Sequence, residues 1–169
     1  MSFEPRVSLP ENTSTDGVPN LTSILGRYVP ATFAERNEFN EAVESCSTDP
    51  QARELMRLHN AEVIDCNFCR NVRYGGPSGL PIISEKQVGK IRSFARSDLP
   101  AAHKAALRFA EGFAMDPDSI PTEVLPGLGE HYTYRQIVEL GLQLVRCRAG
   151  AKLLVSLGLE PRSMPITVI

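Results

Sequence analysis

The chain has no apolar run approaching the roughly 20 residues that a membrane-crossing helix needs, and "MSFEPRVSLP" at its start lacks the apolar core of a signal peptide. The expectation is a soluble, cytoplasmic protein with no membrane partner. It also lacks a basic stripe: acidic and basic residues are mixed along the chain and the formal net charge is -2, which gives a nucleic-acid partner no support. Cysteine is scarce, with four in 169 residues (Cys46, Cys66, Cys69 and Cys147), and in a reducing compartment four thiols do not make a disulfide scaffold. A second Cys-x-x-Cys, which a four-thiolate zinc site normally has, is missing, and His59, His103 and His131 are scattered rather than spaced like zinc ligands. No segment alternates at period two, no Asn-Gly or Asp-Gly hairpin signal occurs, and no repeat at solenoid spacing is present. These absences leave one class, an all-α domain.

What is present agrees with that class. Hydrophobic residues make up 42% and charged residues 22%, the ordinary balance of a chain long enough to bury one core. Residues 1–20 are rich in Ser, Thr, Pro, Asn and Asp without periodicity, and read as an extended or mobile arm. Residues 21–169 read as a single helical domain of about six or seven helices. A helical pattern runs from about Ala31 to Ser45. Asp49-Pro50 is a start signal, a capping Asp before Pro at the first helical position, for a helix to about Ile64. "YGGPSGLP" at 74–81 is a loop. Ser84 with Gln87, and Thr133 with Gln136, have capping-box spacing; the first should open a helix reaching about Arg96, the second one reaching Leu157, where Gly158 stops it. Between them Pro100 opens a helix with Ala106, Phe109, Ala110 and Phe113 on one face, and a short helix covers Thr122 to Glu130.

The chemistry concentrates in "RELMRLHNAEVIDCNFCRNVR", residues 53–73, which reads as an amphipathic helix ending in a Cys-x-x-Cys pair. Asp65 is a capping residue type, so Cys66 and Cys69 are expected in the first turn of a new helix to about Tyr74, where N–H groups and the helix dipole favour thiolate. Arg73, four residues beyond Cys69, would then share its face and push the same way. Three readings of the pair are open at this point: a reversible redox couple, two small buried residues packed near Phe68, or part of a metal site.

The same stretch, followed by "AALRFAEGFAMDPDSIPTEVLPGLGEHYTYRQIVELGLQLVRCRAGAKLLVSLGLEP", resembles the carboxymuconolactone decarboxylase / alkyl hydroperoxidase D-like (AhpD-like) family over about residues 50–161. The resemblance implies an all-helical fold, a homo-oligomer (dimer, trimer or hexamer), and a thiol-dependent peroxidase or disulfide oxidoreductase with no organic cofactor and no metal. It implies Cys69 as the thiol that attacks a hydroperoxide or other small-molecule substrate, Cys66 as the resolving thiol, and a dithiol reductant, lipoyl or thioredoxin-like, that resets them. Glu54 stands twelve residues before Cys66, where the family motif has its Glu, and the resemblance makes it a buried carboxylate in proton exchange with the cysteines. Two positions depart from the motif: Arg73 stands where the family has His, and Phe68 where some members carry a relay His. Arginine supplies charge and fixed hydrogen bonds but cannot relay protons. His59, seven residues before Cys66, is a candidate substitute for the missing relay. Glu62 and His131 read as surface or turn residues, Cys46 and Cys147 as structural thiols, and the basic Arg146, Arg148 and Lys152 as an interface or dipole-complementing feature. Two alternatives use the same fold: a redox-silent module in which Arg73 meets an anionic small molecule, and a carboxymuconolactone decarboxylase-like lyase, against which the cysteine pair argues.

Overall fold

The structure, a computed structural model, describes residues 5–11, 14–15, 18–19, 21–115, 118, 120–161 and 163–169. The arm expected over 1–20 falls partly outside these residues. Its described part holds two two-residue strands, β1 (Ser14–Thr15) and β2 (Val18–Pro19), paired antiparallel. Ahead of them Arg6 donates its backbone N–H to Leu157 O at 2.9 Å, and Val7 and Leu9 pack on an apolar cluster that includes Cys66.

The rest is helical: α1 (Leu21–Tyr28), α2 (Pro30–Glu44), α3 (Pro50–Ile64), α4 (Asn67–Asn71), α5 (Glu85–Val88), α6 (Ala101–Met115), α7 (Val124–Gly129) and α8 (Tyr134–Leu157). A further two-residue strand, β3 (Val72–Arg73), runs parallel to β4 (Thr167–Val168). The expected caps are in place. Asp49 accepts from Gln51 N–H at 3.0 Å, and both capping boxes close reciprocally. Gly158 ends α8 at φ 64°, a left-handed conformation that glycine adopts without steric cost.

The helix expected from Ser84 to about Arg96 is instead two short pieces. After α5 the chain passes Gly89 and winds into a 3-10 turn, Ile91–Arg96, interrupted at Ser93. Ile91 and Phe94 are both buried, packed with Leu55, Leu58 and Leu107, so the turn is held by what its two apolar side chains pack on. Among the described residues no helix is long and apolar enough to cross a membrane.

The organising element is α3. It lies between α6 and α8, and every residue from Glu54 to Ala61 is buried. It is not the amphipathic surface helix its pattern suggests. A helix enclosed on all sides is normally apolar all round, yet this one carries Glu54, Arg57, His59 and Asn60 into the interior. Buried charge is tolerated only when paired and hydrogen-bonded, so these side chains must satisfy one another or their surroundings.

Candidate functional site

The site starts at the break between α3 and α4. Asp65 is the C-cap of α3, in the left-handed region at φ 59°, and not the N-cap of the following helix. Asp tolerates this conformation better than other non-glycine residues except Asn. The turn lets Cys66 N–H reach back to Ala61 O at 3.0 Å. Cys66 itself then caps α4: its Sγ accepts from Cys69 N–H at 3.2 Å. The other leading amide, Asn67 N–H, donates to Glu160 Oε2 at 2.6 Å, and Asn67 Nδ2 donates to Pro161 O at 2.5 Å. The segment after α8 therefore holds the start of α4.

Cys66 and Cys69 are joined as a disulfide, with Cα atoms 5.3 Å apart. Cys66 is fully buried against Ile24, Ala151, Leu154 and Leu159, whereas Cys69 is half-buried. Cys46 and Cys147 are free. Burial, opposed by the nearby charges of Arg57 and Arg146, pushes the Cys147 thiol up to about 11.

The expected α4 to Tyr74 ends at Asn71 instead, because residues 72–73 leave the helix to pair with Thr167–Val168. Arg73 thus does not share a helical face with Cys69. Its Nε and Nη2 donate to Glu85 at 2.7 and 3.1 Å, and its Nη1 to Arg70 O and Val72 O. Those bonds hold the Glu85 carboxyl below its usual range. Arg73 is a buried tie between β3 and α5.

The arginine that does meet the cysteine turn is Arg57, which sequence reasoning passed over. Its Nε and Nη2 grip Glu54 at 2.6 and 2.7 Å; Nη1 donates to Cys69 O at 2.8 Å and Nη2 to Val72 O at 2.6 Å. Tyr74 N–H completes the Glu54 carboxylate at 3.2 Å. Burial would lower the Arg57 pKa, but the hydrogen bond and charge of Glu54 outweigh it and hold Arg57 above its ordinary value. Its guanidinium lies 4.7 Å from the Tyr74 ring centroid. The signal was available as Glu54 and Arg57 at i,i+3, the spacing of an intrahelical ion pair.

His59 sits elsewhere. Five residues on from Glu54, it projects about 140° around the helix. Its ring meets Phe94 edge-on at 6.3 Å, and burial lowers its pKa, opposed by the charges of Glu111 and Glu62. Its surroundings are those of a packed core histidine rather than of a proton relay to the cysteines. Glu62 pairs with Arg92 at the surface and His131 is exposed. The basic residues of α8 face inward at two points: Arg146 bonds Glu44 and Tyr74 Oη, and Arg148 donates to Ala114 O. No cluster of potential metal ligands occurs among the described residues.

Beside this network lies a cavity of about 440 Å³, lined by residues that include Glu54, Tyr74, Arg53, Gln143 and Arg146. The cysteines do not line it. Glu54 and Arg57 form the wall between the two: Glu54 faces the cavity, and Arg57 reaches from it to the Cys69 carbonyl.

No family model matches the chain. Over 119 residues it is 31% identical to two uncharacterized proteins of Mycobacterium tuberculosis, from strains CDC 1551 / Oshkosh and ATCC 25618 / H37Rv; each match covers 66% of this chain and 39% of the relative. The chain thus spans about two fifths of the length of these relatives. Among solved structures it is similar to a protein of unknown function from Agrobacterium tumefaciens, proposed as the antioxidant defence protein AhpD, with TM-score 0.66, 16% identity, and coverage of 84% of this chain and 95% of that one. It is also similar to a variant of the debrominase Bmp8 in complex with 2,3,4-tribromopyrrole, with TM-score 0.68, 15% identity, and coverage of 82% and 74%. At these identities the likeness is one of architecture, and it places the chain in the all-helical AhpD-like fold.

Proposed function

We propose that the protein is a thiol–disulfide oxidoreductase that reduces a hydroperoxide through Cys69 and Cys66. One observation carries the reading: the two sulfurs are bonded, one sealed in the core and the other half-buried at the first turn of α4. A couple of this shape presents one sulfur to substrate and protects its partner. In the reduced protein the Cys69 thiolate attacks the terminal peroxide oxygen. The O–O bond breaks, the alcohol leaves with a proton, and Cys69 becomes a sulfenic acid. The Cys66 thiol then attacks that sulfur, water departs, and the disulfide forms. An external dithiol, lipoyl or thioredoxin-like, returns two electrons and two protons. The AhpD likeness of a fold neighbour supports this reading.

Glu54 and Arg57 serve as positioning residues, fixing the Cys69 and Val72 carbonyls so that the α4 turn keeps its geometry. Arg73 acts on the same turn through its bond to Arg70 O. Protons exchange with solvent at the open side of Cys69. Self-association belongs to the same proposal. The test is thiol titration with peptide mapping: peroxide should remove two thiols and link Cys66 to Cys69, leaving Cys46 and Cys147 reduced. Cys66 and Cys69 thiols inert to peroxide would overturn it.

A second reading, a redox-silent binding module, is favoured by the cavity lying beside Glu54 rather than beside the sulfurs. Unreactive cysteines combined with ligand-induced melting shifts would select it.

A further inference from the structure

The outer face of α8 is apolar and uncovered. Tyr134, Val138, Leu142, Val145, Ala149 and Leu153 are all exposed, the five larger side chains by 37% to 90%. At 3.6 residues per turn they fall in one sector about 100° wide, on the far side of the helix from the buried Leu140, Leu144 and Leu154. None of the six is charged. The stripe runs about 28 Å along the axis at 1.5 Å per residue. Single exposed apolar residues are ordinary, whereas a continuous run of them marks a docking surface.

The spacing of the stripe identifies its occupant. The six positions are symmetric about the point between residues 143 and 144, so an identical helix laid antiparallel presents the same spacing in reverse. Tyr134 then meets Leu153 of the second copy, Val138 meets Ala149, Leu142 meets Val145, and each contact recurs across the axis. A two-fold pairing requires a self-matching surface of this kind.

α2 extends that surface. Only Val43 of its 15 residues is buried, and a helix of that length is marginal without packing. It lies along the C-terminal half of α8: Glu44 bonds Arg146, and a Cβ on Gly150 would stand 3.9 Å from Arg36 Nη2. In the antiparallel pair this half comes alongside the N-terminal half of the other α8. The exposed Glu35 and Glu38, which have no cationic partner among the described residues, are thereby brought toward Arg135 of the second copy, whose side chain is 84% exposed. With a helix width of roughly 10 Å, α8 gives a footprint of about 300 Å² and α2 about 200 Å² in each copy. Together the two copies reach the roughly 1,000 Å² that a specific interface needs.

We propose that α8 pairs antiparallel with α8 of a second copy through this stripe, giving a two-fold dimer. The inference rests on the self-association named with the redox reading and supplies its surface. The sulfur chemistry is separate from it, because Cys66 packs on Ala151 and Leu154, on the inner side of α8.

Sedimentation of the full chain at micromolar concentration tests the pairing. The wild type should run as a dimer or an even multiple of one. Val145→Glu and Leu142→Lys, both at exposed positions, should each weaken the contact about a hundredfold or more, because each sets two unpaired charges in the apolar seam. Val63→Glu, at a comparably exposed position on α3, should leave the assembly unchanged. Mixing the Val145→Glu and Leu142→Lys proteins should restore the pairing, since the two opposite charges then meet across the axis. Both thiols stay in place in every variant, so peroxide reactivity is read independently of assembly. A wild-type monomer or trimer would overturn the proposal, as would wild-type assembly in either folded variant or a mixture no larger than its components.

Discussion

The Glu54–Arg57 pair is buried at both ends, with side chains 1% and 6% exposed. Two ions cost much to desolvate, and a pair regains that cost only with good geometry and with its remaining donors satisfied. Here the guanidinium grips both carboxylate oxygens and spends further N–H groups on the Cys69 and Val72 carbonyls. Removing one partner leaves an uncompensated interior charge, so Glu54→Gln should lose about 3–5 kcal/mol in urea unfolding. Replacing both, with Glu54→Leu and Arg57→Met together, should recover a large part of that stability while loosening the α4 turn, which would show as faster alkylation of reduced Cys69. A double variant no more stable than the single one would show that the carbonyl bonds, rather than the charge balance, dominate. The residue scale is also where sequence reasoning met its limits. The burial of Glu54 and the Cys66–Cys69 bond are what the family resemblance led one to expect; the roles of these residues in catalysis are part of the proposal. Arg73 was misplaced because the fate of residues 72–73 is decided by a parallel pairing with residues 167–168, almost a hundred positions away. Arg57 was passed over, although its i,i+3 spacing from Glu54 was there to read.

At the scale of elements the sequence was more informative, because helix ends are coded locally. Asp49-Pro50, Ser84 with Gln87, Thr133 with Gln136, and Gly158 all sit where capping chemistry places them. Less legible were the short pieces: the end of α4 at Asn71 rather than about Tyr74, and the split of α5 from the 3-10 turn, depend on tertiary packing, which no local propensity reports. The two kinds of end make opposite predictions. Thr133→Ala removes the hydroxyl that accepts Gln136 N–H and donates to Gln136 Oε1, so it should lower stability by about 1 kcal/mol. Asp65→Gly relieves a left-handed non-glycine residue, φ 59°, whose conformation costs roughly 1–2 kcal/mol for an ordinary side chain. It also forfeits the exposed Asp65–Arg70 pair, which is worth little. The expected result is a small net gain of about 0.5 kcal/mol in chemical denaturation, and a loss would mean that the Asp65 side chain does more for the turn than its backbone costs.

For the whole molecule, the buried titratable groups set a window of maximum stability. His59 is held neutral by burial, with its pKa below the ordinary 6.5. Its folded value is depressed, so its contribution is present above about 6.5 and is lost as the pH falls through the folded value. At the other end, burial raises Cys147 from 9.0 to about 11 and Tyr132 from 10.0 to about 12. A raised acid binds its proton more tightly in the folded state, so that stability is complete below the unfolded values and declines as the pH rises from about 9 through the folded ones. Stability should therefore be flat from about pH 6.5 to 9 and fall on both sides, before the carboxylates titrate on the acid side. The alkaline limb can be assigned. A shift of this size in Cys147 corresponds to on the order of 3 kcal/mol across its interval. Cys147→Ala should lower the plateau by its packing loss but flatten the decline between pH 9 and 11, while Tyr132 still bends the curve above 10. Chemical denaturation at stepped pH measures both limbs. An alkaline slope identical in wild type and Cys147→Ala would show that the thiol already ionises freely in the folded protein, and would reopen Cys147 as a reactive thiol beside Arg57 rather than a buried spectator.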